Sequence, residues 1–85
     1  MHLWPSRDES HNKVITMIKN EQERQRIGQD IAQLRKEKGM TQQDLADRVE
    51  MQRAHIARIE AGRYSVGLDT LTAIGQALGK RLAFV

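Results

Sequence analysis

At 85 residues the chain has room for one small domain, and 14 Lys and Arg against 11 Asp and Glu leave a net charge of +3. It has no cysteine, which excludes disulfides, zinc–thiolate sites and thiol catalysis. No apolar run is long enough to span a bilayer and no apolar leader opens the chain, so the expected location is the cytoplasm. Three aromatics, Trp4, Tyr64 and Phe84, make a thin core, and a chain this small is expected to gain stability by oligomerising. The charge is mild and nowhere gathered into a block. It allows a nucleic acid as partner without demanding one.

In chain order, residues 1–20 read as an N-terminal arm. Within it Val14, Ile15, Thr16, Met17 and Ile18 form a short, mostly β-branched run, more strand-like than helical. It either pairs with another strand or belongs to a loose arm. Helical periodicity begins near residue 21, where Ile27, Ile31 and Leu34 fall at i, i+4 and i+7. Arg35, Lys36 and Lys38 load the last turn with cations, and Gly39 follows. The first helix is therefore predicted over about 22–38.

The next helix has the best-marked start. Thr41 with Asp44 three residues later makes a capping box, and Met40 with Leu45 stands as a hydrophobic staple. It is predicted over 42–49, burying Leu45, Ala46 and Val49. A third helix is predicted over 53–61, with Ile56 and Ile59 on one face and Gly62 at its end. A polar loop leads to a fourth over 68–78, whose stripe is Leu68, Leu71, Ile74 and Leu78. After Gly79 the chain closes on residues 80–85, where Leu82 and Phe84 alternate with their neighbours as in an edge strand.

Two short helices joined by a tight connection form a helix-turn-helix arrangement. The residues then narrow the reading. Ile27-Gly28, the run from Leu34 to Gln42, Leu45-Ala46, Ile56, the run from Arg58 to Arg63, and the run from Leu68 to Leu71 together resemble the phage repressor and Cro-like helix-turn-helix family, also called xenobiotic response element-like. The resemblance covers residues 27–79 without a gap. It implies an all-α bundle of four to five helices that binds DNA as a dimer. Here the bundle carries a short C-terminal strand, with residues 14–18 as a candidate second strand. Three positions depart from the family pattern: Glu50 stands where a turn glycine is usual, Gln52 where the third helix usually has a Ser or Thr cap, and Val66 where a proline is common.

Burying Ile56 and Ile59 turns the opposite face of the third helix outward. Gln52, Arg53, Ala54, Ala57 and Arg58 are the candidate base contacts on that face. An arginine fork matches the two major-groove acceptors of guanine, and small alanines let the backbone approach base edges. Charge is separated across this region. Residues 41–51 carry Asp44, Asp47 and Glu50 against Arg48, whereas residues 52–66 carry Arg53, Arg58 and Arg63 against Glu60. Gln42, at the second helix start, is a candidate phosphate contact beside free backbone N–H groups. Arg63, Tyr64 and Ser65 occupy the stretch that the resemblance assigns to phosphate clamping. His55 either flanks a phosphate or is simply a partly exposed histidine. The resemblance also makes Arg35 and Glu60 a structural ion pair.

Leu82 and Phe84 are the candidate dimerisation residues, since a lone strand is resolved by pairing with a second copy. The domains are thus an arm (1–20), a helix-turn-helix DNA-binding domain (21–79) and a dimerisation strand (80–85). The expected function is a dimeric, sequence-specific double-stranded DNA-binding repressor reading a pseudo-palindromic operator. The alternative is an antitoxin or interaction module that binds a toxin and represses its own operon. No cofactor, metal or enzymatic activity is expected: His2, His11 and His55 are scattered, and no nucleophile–base pair is spaced for catalysis.

Overall fold

The computed structural model describes residues 12–84, with side chains from Asn20 onward. Its regular structure is α1 (Asn12–Glu37), α2 (Gln42–Arg48), α3 (Arg53–Glu60) and α4 (Leu68–Ala77). Ile31, Leu45, Ala46, Ile56, Ile59, Ile74 and Leu78 are buried together, one or two from each helix, and Ile27, Leu34, Met40, Val49, Val66 and Leu71 pack around them. No helix among the described residues is long and apolar enough to cross a membrane. The predicted core stripe of α4 starts one step late: Leu68, its first residue, is 72% exposed.

The strand expected at 14–18 is corrected. Residues 14–18 are helical, because α1 begins at Asn12 rather than near residue 22. A β-branched residue costs only tenths of a kcal/mol in a helix, whereas extending a helix already nucleated gains a backbone hydrogen bond per residue. Within the single chain residues 80–84 carry no regular structure. Leu82 is 40% exposed and Phe84 fully so. The first eleven residues of the arm, and Val85, lie outside the described residues.

All four helices stop in the same way. The N–H two residues past each last cap reaches a carbonyl five residues back: Met40 to Arg35 at 3.0 Å, Met51 to Ala46 at 2.8 Å, Arg63 to Arg58 at 3.0 Å and Lys80 to Gly75 at 2.8 Å. Each motif needs one residue at positive φ. Three are glycines, but the α2–α3 turn uses Glu50, at φ 56. An L side chain there is strained, by about 1–3 kcal/mol. The other end of α2 is well made: Thr41 Oγ1 accepts from the Asp44 N–H at 3.0 Å, and Asp44 Oδ2 accepts from the Thr41 N–H at 2.8 Å. That backbone bond holds the Asp44 carboxyl below its ordinary value. α3, by contrast, starts at Gln52 without any side-chain cap bond.

Gly28 sets how closely α1 and α3 approach. A Cβ there would sit 2.5 Å from the carbonyl oxygens of both Ile59 and Glu60, so only hydrogen fits.

Glu50→Gly is expected to raise stability by about 1 kcal/mol net of the entropy added to the unfolded chain. Thr41→Ala should lower it by about 1 kcal/mol. Urea midpoints at unchanged m-value check both. Asp44 has its folded pKa depressed, so its stabilising share is present above the ordinary value of 3.8 and is lost as pH falls through the folded value. Asp44→Ala should remove that part of the acid limb of a stability-against-pH curve.

Candidate nucleic-acid interface

The site is built outward from one buried pair. Arg35, in the last turn of α1, and Glu60, the last residue of α3, have side chains only 9% and 7% exposed. Arg35 Nε donates to Glu60 Oε2 at 2.7 Å and Nη2 to Oε1 at 3.0 Å, a two-point fork. Its Nη1 donates to the Met40 carbonyl at 2.8 Å, in the turn leading to α2. The hydrogen bonds to Glu60 raise the guanidinium pKa above its ordinary value. One arginine thus joins α1, the α1–α2 turn and the end of α3, in the structural role that the resemblance implies.

Gln42, the first residue of α2, lies against this pair. Its Nε2 donates to Glu60 Oε1 at 3.1 Å, and its Oε1 accepts from Arg53 Nη1 at 3.3 Å. The orientation of the amide is set by chemistry. A carboxylate only accepts and a guanidinium only donates, so the NH₂ must face Glu60 and the oxygen must face Arg53. Gln42 therefore bridges the first and last residues of α3.

The face of α3 opposite Ile56 and Ile59 lies open. Gln52, Arg53, Ala54 and Arg58 are exposed, and Ala57 is half-buried at its margin. Arg63, Tyr64 and Ser65 are exposed in the loop after α3. His55 is half-buried, with the Tyr64 ring edge-on to it at 4.4 Å between centroids. Its Nε2 is buried and has no hydrogen-bond partner among the described residues. The ring pair holds the 63–65 loop against the flank of α3, which neither residue type nor local spacing signals. The chain of bonds through Gln42 was equally invisible in the sequence, because its members stand 11, 18 and 25 residues apart. Among the described residues no group of three or more His, Asp or Glu is placed to hold a metal ion.

The helix-turn-helix family pattern matches residues 31–85. The chain is 39% identical over 59 residues to the immunity repressor protein of Bacillus phage phi105, covering 69% of this chain and 41% of that protein. It is 46% identical over 50 residues to an HTH-type transcriptional regulator of Methanothermobacter thermautotrophicus, covering 59% of this chain and 72% of that one. A regulator of the same type from Sinorhizobium fredii is 36% identical over 56 residues, covering 66% and 73%. The chain thus spans about two-fifths of the phage repressor and nearly three-quarters of the two regulators.

Removing one partner of the buried pair leaves the other charge stranded. Glu60→Ala is expected to cost about 3–5 kcal/mol, and the apolar replacement Arg35→Met with Glu60→Met to recover most of that loss. Thermal unfolding of the three proteins side by side checks this.

Proposed function

The chain belongs to the phage repressor and Cro-like branch of the helix-turn-helix family, and on that premise we propose that it is a sequence-specific regulator of transcription. In this reading it is a repressor that binds double-stranded DNA as a dimer, with α3 in the major groove of each half of a pseudo-palindromic operator. The observation that carries the proposal is the open face of α3: two arginines flanking small alanines, on a helix whose other face is anchored by Ile56 and Ile59.

Arg53 and Arg58 carry the planar fork that matches guanine O6 and N7, and the Ala54 and Ala57 methyls suit contact with a thymine methyl. Gln52 completes the base-contacting set at the start of α3. Gln42, His55, Arg63, Tyr64 and Ser65 lie to either side, where a duplex seated on α3 presents its phosphates. Three arginines fall within residues 52–66, while α2 and its turn are acidic. The dimer is supported by the bare Phe84 and half-covered Leu82 beyond α4. Both are relieved if residues 80–85 of two copies pair across a two-fold axis, and such a dimer suits half-sites one turn of the duplex apart, about 34 Å, or a multiple of that.

Arg53→Ala is expected to cost about 1–3 kcal/mol on the cognate duplex and to relax preference at one base pair per half-site. Arg63→Ala should weaken all duplexes alike and reduce the salt slope by about 1. Salt titrations on cognate and base-substituted duplexes distinguish the two. Unchanged affinity for Arg53→Ala would remove α3 as the reading helix.

A further inference from the structure

The buried pair has an acceptor in use that its structural role does not require. Glu60 Oε2 and Oε1 each take one N–H of Arg35, which already satisfies the fork. Oε1 nevertheless takes a second bond, from Gln42, and the oxygen of that same amide holds Arg53. We infer that Glu60 is a positioning residue for base recognition, acting through Gln42 on Arg53. The inference rests on the reading of α3 given above and adds to it a residue that does not itself touch DNA.

Arg53 is exposed and has a long side chain, so holding its guanidinium in one place before DNA arrives lowers the entropy lost on binding. Gln42 supplies that hold only while its own amide is fixed. Left alone, a glutamine with three side-chain torsions would turn its oxygen anywhere. The carboxylate of Glu60 removes that freedom, because it accepts only from the NH₂ and so aims the oxygen at Arg53. Glu60 can serve as the fixed end because it is itself gripped by Arg35, which in turn is tied to the Met40 carbonyl. The path thus runs from a buried ion pair to the exposed face of α3. A site whose supporting bonds are lost is still present but looser, and discrimination falls before folding does.

The test uses the whole chain and compares two duplexes at one fixed salt concentration, the selected site and the same site changed at the base that Arg53→Ala identifies. Arg35→Met with Glu60→Met removes the anchor while keeping an apolar, packed interior. This protein should fold and lose about 2- to 30-fold of its discrimination at that one base. Adding Gln42→Ala to it should bring no further loss, because the two changes break one path. Glu60→Gln serves as a second variant: an amide has one oxygen, so it cannot satisfy both ends of Arg35 and still accept from Gln42. It should shift discrimination in the same direction, and the Gln42 side-chain amide resonances of the DNA-free protein should move with it. Full discrimination in either folded variant overturns the inference, as do losses that add when Gln42→Ala is combined with the anchor change. If Arg53→Ala alters preference at no base, the reading of α3 fails first and the inference falls with it.

Discussion

The fold turns on the fork between Arg35 and Glu60. Two charges are withdrawn from water there at a cost of several kcal/mol each, which only good geometry offsets. The geometry is good: two charge-assisted bonds between the partners, a third to the Met40 carbonyl and a fourth from Gln42. With them α1 is locked to the end of α3, and the turn into α2 is fixed from the side. Gly28 belongs to the same constraint. By bringing the α1 backbone against the carbonyls of Ile59 and Glu60, it sets the separation across which Arg35 must reach.

Around that fixed point the helices are short and depend on one another. α2 and α3 have 7 and 8 residues, too few to persist alone in water. Leu45, Ala46, Ile56 and Ile59 hold them together. Their termini do the rest, with a full capping box at the start of α2 and the same hydrogen-bonded stop at every C-terminus. The two weak points of this local chemistry adjoin the proposed reading surface: Glu50 is held at positive φ in the turn, and α3 starts at Gln52 without a cap bond. The bonds across Gln42 compensate by tying the first residue of α3 to structure that is secure.

Much of this was legible in the sequence, for reasons tied to particular residues. Thr41 with Asp44 and the three C-terminal glycines are local signals, and the bounds of α2, α3 and α4 fell within a residue of the expected ones. Ile56 and Ile59, three apart, correctly assigned the buried face of α3 and with it the open face. The sequence misled where a local propensity was overruled. Residues 14–18 look like a strand to any scale of β preference, yet they extend a helix already formed by the residues after them. Leu68 looks like core by its spacing from Leu71, yet it stands at the bare first position of α4. The links from Glu60 through Gln42 to Arg53, and from His55 to Tyr64, carry no periodicity at all. The first arises only where α2 packs against α3, and the second only where the loop after α3 folds back on that helix.

The central question is whether the open face of α3 reads bases. Selection from random duplexes at one stated salt concentration, run in parallel with the parent chain and with Arg53→Ala, measures this most directly. The parent should enrich an inverted repeat containing guanine in each half, and Arg53→Ala should return the same repeat with information lost at a single position per half. An identical motif from both proteins, or no motif from the parent, would contradict it.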